Sequence, residues 1–345
     1  MAETVYYVDT DVVGGAGDGS SWANAYSSLN AAENDRDANI TGGNAVAFNC
    51  RGVAADTAAV TIGNWITDAD SYVRVYTEAA NRHAGVWSDT KYRITPTNAN
   101  VLTINENYVR IDGIQLEVLN STTTSYHVNV GGIDAGNALY LSNLVCRGSN
   151  SATYGQIAIN LQDADSIAYI WNCLAYNIHP TTSGNRCGQL NGTCFVANCT
   201  FIGGVYGVRT FNTSTVKNVY AGGSGTSDFA AGGGTLTATY CAGEDATADD
   251  FGATGCLTSV NCTTAGVTFV DPANADFRIA DTDSALYNVG TTLTDDPPGA
   301  TALALDIAGT TRSSWDIGAF EYVSAANYLL LLLQNDTDQL TDGPW

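Results

Sequence analysis

The sequence predicts an all-β chain wound into a single parallel β-helix, a solenoid with a helical cap in front and an extension behind. Three observations point there. The 345 residues include 36 Gly but only 6 Pro and one Met. Thr, Asn, Asp, Val and Tyr are prominent, as in strands joined by many tight turns, and helix formers are scarce outside a few Ala-rich patches. Asn-Cys recurs between short β-rich runs, in "YIWNCLAYNI" (169–178) and "FVANCTFIGG" (195–204), and a repeated local pattern is the mark of a solenoid. Asn-Gly occurs once, at 191–192, whereas a jelly roll or propeller would repeat hairpin turns at regular spacing. The length permits one large β domain or two average ones.

Residues 1–44 read as an N-terminal strand and capping helix. Solenoid ends expose apolar interior and unpaired strand edges, so they need covering. The stretch "SSWANAYSSLNAAEND" (20–35) fits a short amphipathic helix capped by Ser20 or Ser21, with Trp22, Tyr26 and Leu29 on one side. Ahead of it, "DTDVVGGAGDG" (9–19) mixes carboxylates and glycines as a calcium loop does. It lacks the spacing and terminal Glu of an EF-hand, and reads as capping turns. The opening "MAETVYYVDT" shows neither a positive nor an apolar leader region, so no secretory signal is expected.

Residues 45–322 read as the β-helix with its closing segment. Aligning segments on the Asn gives a column of Asp112, Asn143, Asn172, Asn198, Asn218 and Thr239. Two places earlier stand Arg110, Leu141, Ile170, Val196, Val216 and Thr237; one place later stand Gly113, Leu144, Cys173, Cys199, Val219 and Tyr240. Both flanking columns are mostly apolar, yet they lie three residues apart, out of phase for a continuous strand. A bend at the Asn restores the phase, because Asn tolerates left-handed backbone angles and its amide can bond the Asn of the next coil. Cys173 and Cys199 then stack as compact hydrophobes in a narrow interior; a disulfide, or a metal or redox role, is the alternative. Nine Cys leave at least one unpaired in a monomer, and Cys194 and Cys199 lack flanking His ligands for zinc.

Both ends of the chain carry a resemblance. "YYVDTDVVGGAGDGSSWANAYSSLNAA" (6–32) resembles the entry segment of right-handed β-helix proteins of the pectate-lyase-like superfamily. "FVDPANADFRIADTDSALYNVGT" (269–291) and "DIAGTTRSSWDIGAFEY" (306–322) are similar to the closing segment of the same group, in which an Asp-Ile-Gly-Ala-aromatic-Glu-Tyr string ends the helix. An entry segment without a leader, running into "AVAFNCRG" (45–52), also resembles virion-associated β-helix proteins of tailed bacteriophages. The resemblance implies a right-handed solenoid and a place on a virion surface, with release by lysis and no need of a secretion signal.

Charge narrows the partners. A net charge of −22, with Lys91 and Lys217 as the two lysines and no basic cluster, repels nucleic acid and suits a surface in salty water. The longest apolar run is far too short to cross a bilayer, so neither nucleic-acid binding nor membrane insertion is expected.

Candidate sites follow from outward residues. Asp163 and Asp165, two apart and so on one face if in a strand, are the metal candidates; no cofactor is expected beyond a calcium ion there. Tyr169, Trp171, Tyr176 and Tyr206 recur near neighbouring rungs and could stack on sugar rings, with His179 and Arg186 in the rim loop "NIHPTTSGNRCG". The lyases of the superfamily abstract protons with Arg or Lys, a role open to Arg110 and Arg209, but no catalytic motif matches and no catalytic residue is assigned. Asp249 and Asp250 fall in a Gly/Ala/Asp-rich insertion.

Residues 323–345 read as an assembly or anchoring tail, because Tyr328, Leu329, Leu330, Leu331, Leu332 and Leu333 form an apolar run that must seek cover. The expected partners are other virion proteins or copies of this chain, and surface glycans. The expected function is thus a non-enzymatic structural protein of a phage particle, such as a head decoration, fibre or spike component. An extracellular polysaccharide lyase or glycoside hydrolase is the alternative, and an exported adhesin a third reading.

Overall fold

A computed structural model describes residues 2–119, 122–252, 254–257, 266–282, 284–294, 296–297 and 300–324. Its strands visit three sheets in turn. One circuit is Ala138–Ser142, Val145–Arg147 and Gln156–Leu161. The next strand, Ile167–Trp171, returns parallel to the first, with Tyr169 opposite Tyr140. Among the described residues the first sheet has nine strands, from Ala2–Asp9 to Thr235–Thr239; the second (Arg93–Ile94 to Ala242–Gly243) and the third (Val60–Ile62 to Ser227–Ala231) have seven each. This all-β architecture of parallel sheets is compatible with a parallel β-helix.

The register corrects the expected Asn column at both ends. Asn143, Asn172, Asn198 and Asn218 do sit at the corner between the first and second sheets, with φ of 51–53°. Asp112 and Thr239, however, pair one step earlier, with Ser142 and Lys217. The left-handed residues of those coils are Gly113 (φ 74°) and Tyr240 (φ 53°). Shifted by one, the column two places before the corner becomes Ile111, Leu141, Ile170, Val196, Val216 and Ala238. The column after it becomes Ile114, Leu144, Cys173, Cys199, Val219 and Cys241, and all twelve side chains are buried. Arg110, the misfit in the inward column, turns outward.

The amides serve more partners than a simple ladder. Asn218 Nδ2 donates to Asn198 Oδ1 (3.1 Å), as expected, but Asn143 Nδ2 donates to Asp112 Oδ1 (2.7 Å) and Asn172 Nδ2 to the Leu305 carbonyl (2.8 Å). The cysteines fill the core. All eight in the described residues are free thiols, and the Cys173 backbone N–H points at Cys199 Sγ at 3.4 Å. Burial pushes the thiols of Cys50, Cys146, Cys187, Cys194, Cys199 and Cys241 upward, so they hold their protons and are poor nucleophiles. The half-buried Cys256 differs, held down to about 7 by hydrogen bonding with Cys241.

The helix at the N-terminal end starts later than expected. Helix α1 spans Leu29–Arg36, and its N-cap is Ser28, whose Oγ accepts the Ala31 N–H; Trp22–Asn24 forms a separate 3-10 turn. Ser20 and Ser21 therefore do not cap α1. Trp22 packs instead on Tyr7 at 4.5 Å, under the Arg51 guanidinium. Helix α1 presents Leu29, Ala32 and Glu33 inward, and Glu33 Oε1 accepts both the Gly63 N–H (3.0 Å) and Trp65 Nε1–H (2.9 Å). Of the calcium-like carboxylates, Asp9 holds Arg51, Asp11 accepts the Val53 and Ala54 N–H groups, and Asp18 accepts the Ser20 N–H.

The C-terminal segment does not end the coil as the resemblance implies. From residue 266 it runs back over the outside of the sheets. Phe277, Ile307 and Phe320 cover Val145, Leu174 and Tyr176 of the second sheet, while Leu293, Leu303 and Trp315 cover Trp171, Phe195 and Ala197 of the first. Its Asp-Ile-Gly-Ala-Phe-Glu-Tyr string is an irregular clasp. Arg312, fully buried, donates to the Gly318 and Ala319 carbonyls (3.0 Å each) and faces Glu321 at 3.7 Å. Glu321 accepts the Ser313, Ser314 and Asp316 N–H groups, and Asp316 accepts those of Asn288 and Tyr322. Each buried charge thereby meets backbone partners that would otherwise be orphaned. Among the described residues no helix is long and apolar enough to cross a membrane. The Tyr328–Leu333 run lies outside the described residues.

Candidate functional site

Outward positions of the first sheet alternate with the buried ones, so a single face collects one side chain from each coil. The register lines up Arg74, Arg110, Tyr140, Tyr169 and Phe195 in consecutive strands. Beside this column lies a groove of about 480 Å³, lined by Arg74, Arg110, Asp112, Tyr140, Asn143, Trp171 and, from the C-terminal segment, Ala302 of the short helix α2 (Ala300–Leu303).

The groove has a cationic end and an aromatic end. The Arg110 guanidinium lies 3.6 Å from the Tyr72 ring centre and 5.3 Å from that of Tyr140, the geometry of a cation–π contact. Arg74 covers Tyr76 at 3.9 Å and reaches Glu3 at 3.4 Å. Tyr140 stacks on Tyr169 at 5.1 Å with 25° between planes, and meets Trp171 edge-on at 6.4 Å. Asp112, the carboxylate of the lining, is engaged by Arg82, by Ser142 Oγ (2.8 Å) and by Asn143 Nδ2. His83 backs this corner: its Nδ1 accepts the Gly85 N–H and its Nε2 lies 2.9 Å from the Asn143 carbonyl. Burial, with Arg82 nearby, pushes the imidazole down to about 4 and keeps it neutral.

The pairing of cations isolates Arg110. In the described residues, which include all thirteen Lys and Arg, four have no carboxylate within 4 Å: Lys91, Arg110, Arg186 and Arg209. With 35 acidic side chains in the chain, leaving a half-buried guanidinium without one keeps its donors free for an outside acceptor.

The six expected glycan residues do not form one strip. Tyr169 and Trp171 belong to the first sheet and flank the groove, although Trp171 is only 9% exposed under the C-terminal segment. Tyr176 is on the second sheet, 2% exposed and packed on Phe277, so its ring is closed to a sugar. His179 stays in its loop, where Nδ1 lies 3.2 Å from Thr182 Oγ1. Arg186 and Tyr206 are paired neighbours on the third sheet. Arg209 lies there too, away from the groove that contains Arg110.

Asp163 and Asp165 lie in a turn rather than a strand, which removes the shared face. Asp163 spends its oxygens on the Ile133 N–H (3.1 Å) and the Asp165 N–H (3.4 Å). Among the described residues no three His, Cys, Asp or Glu side chains gather as a metal site. Asp249 and Asp250 are exposed in a turn. Arg74, Tyr72 and Tyr140 were missed by sequence reasoning. Part of their signal was present, because aligning the Asp112 coil on Gly113 puts Arg110 in the outward column beside Tyr140, and Arg74 precedes it in the neighbouring strand.

No protein family matches the chain, and no curated protein or solved structure matches it either.

Proposed function

We propose that the chain is a non-enzymatic structural protein displayed on a tailed-phage particle, as a head decoration, fibre or spike component, and that the groove on its first sheet holds a surface glycan. In this reading the coils form one right-handed solenoid and helix α1 plugs the first of them. The 323–345 tail joins the rod to other virion proteins or to its own copies. Particle membership is supported by the resemblance of residues 6–32 and 45–52. The binding role is supported above all by Arg110, a guanidinium without a carboxylate partner among the described residues, held between two tyrosine rings at the mouth of an aromatic groove. Sugar faces stack on such rings and sugar oxygens accept from such donors.

The alternative, a glycoside hydrolase or polysaccharide lyase, is less well supported. Hydrolysis of this kind uses two carboxylates flanking the bond, and among the described residues the groove lining offers Asp112 alone, already bound to Arg82, Ser142 and Asn143. Mass spectrometry of purified particles from the source tests the placement, which predicts this chain as a stoichiometric component. Deleting residues 324–345 should leave a folded, soluble rod that no longer joins the particle or oligomer. Normal assembly of the truncated chain would overturn the assigned role of the tail.

A further inference from the structure

Two of the four cations without a carboxylate stand together on another face. In the third sheet Arg186 is paired with Tyr206, and Arg209 follows three residues later. The Arg209 guanidinium lies 4.4 Å from the Tyr206 ring centre and 4.8 Å from that of Phe211, and Arg186 approaches Tyr206 at 5.8 Å. Phe211 is 37% exposed, one of few large apolar side chains in the described residues left so open. Arg186 Nη1 donates to the Gly184 carbonyl (3.0 Å), but its Nε is buried with no partner. Gly232 closes the arrangement. A Cβ there would come within 2.8 Å of Arg209 Nε and 2.7 Å of the Phe211 ring, so a larger residue would push these two side chains aside.

Placing two cations side by side without a counter-charge is costly. Burial, then the charge of Arg209, pushes the Arg186 guanidinium below its usual value. In a chain with 35 acidic side chains the simple remedy would be one more Asp or Glu opposite the pair, and among the described residues none stands within 4 Å. An oxyanion between the guanidiniums would remove the repulsion and supply acceptors for their Nη groups.

We propose that this face is a second binding site, distinct from the groove, for a sulfate or phosphate ester carried on a sugar: Arg186 and Arg209 grip the ester oxygens, and Phe211 and Tyr206 take the sugar ring. A polyanion is not attracted to the molecule as a whole, since the net charge of −22 repels it. Any binding must therefore be local.

Titration of the full chain at physiological salt tests the site, with glucose 6-sulfate, glucose 6-phosphate, glucose, and inorganic sulfate and phosphate as probes. The sugar esters should bind saturably, glucose should not, and the inorganic ions should bind more weakly than the esters. The two ester arms show which oxyanion is preferred. Arg209→Gln, on the surface, should weaken ester binding at least about tenfold, the worth of a charge-assisted hydrogen bond, while Lys91→Gln, a cation outside both sites, should leave it unchanged. Equal binding by wild type and Arg209→Gln, or no saturable ester binding, would overturn the site. Inorganic ions that bind as tightly as the esters would overturn its assignment to a sugar. A loss in Arg110→Gln alone would place ester binding in the groove and refute a second site.

Discussion

At a single corner the backbone angle and the side-chain amide make separate contributions. Left-handed angles cost an ordinary residue about 1–2 kcal/mol, and Asn and Gly avoid most of that. Asn218 also makes three hydrogen bonds, to Asn198 Oδ1 and to both the carbonyl and the N–H of Thr291. Asn218→Gly keeps the angle and loses the bonds, so urea denaturation should show a loss of about 2–4 kcal/mol, at roughly 1 kcal/mol per bond. Asn198→Gly, where the side chain accepts one bond and its Nδ2 has no partner, should cost clearly less. The four Asn corners were legible because the residue type itself reports the angle. Gly113 and Tyr240 were not, since Asp112 and Thr239 beside them look more like corner residues than a tyrosine does. Buried titratable groups oppose one another in acid. His83 and His127 are pushed down to about 4 by burial, so their contribution is present above about pH 6.5 and lost as pH falls through 4. Burial raises Asp228 and Asp316 to about 6, so theirs is present at low pH and lost as pH rises through 6. Replacing both aspartates by Asn should therefore steepen the loss of stability on acidification between pH 6 and 4. A flatter profile in the double variant would contradict these assignments.

Among elements, helix α1 shows how a local pattern can be right in kind and wrong in place. Its existence near residues 20–35 could be read from Leu29 and the alanines. Its start could not, because four serines, at 20, 21, 27 and 28, offer equivalent caps in sequence. The choice of Ser28 is tertiary: the carboxylate of Asp56, 27 residues away, accepts the Leu29 N–H at 2.8 Å, and Glu33 must reach Gly63 and Trp65. Glu33→Ala would leave two buried donors unpaired, at about 1–3 kcal/mol each. Glu33→Gln, whose carbonyl oxygen can accept both, should retain most of the stability. Thermal denaturation of the two variants decides it, and equal losses would show that the pairing is unimportant. The C-terminal segment was equally hard to place. Its buried Arg312 and carboxylates satisfy irregular backbone, a role with no periodicity to detect, and its apolar residues cover outer faces of the sheets rather than extending the coil.

For the molecule as a whole, one shift of alignment separates what the sequence made visible from what it concealed. The parallel architecture and the thiol-filled interior follow from the inward columns, which burial selects strongly. The outward column carries no such constraint, so the alignment of Arg74, Arg110, Tyr140 and Tyr169 emerges only once the register is known. That column, with the C-terminal segment as its far wall, makes the face on which a glycan would lie. Under the proposed function, this face holds a sugar chain without cleaving it. The direct measurement is titration of the wild-type chain and of Arg110→Gln with glycans identified on an array, with reducing and unsaturated ends assayed in the same samples. Binding should be saturable, weakened about tenfold or more in the variant through loss of charge-assisted hydrogen bonds, with no accumulation of new ends. Steady release of product, or binding indifferent to Arg110, would contradict this reading.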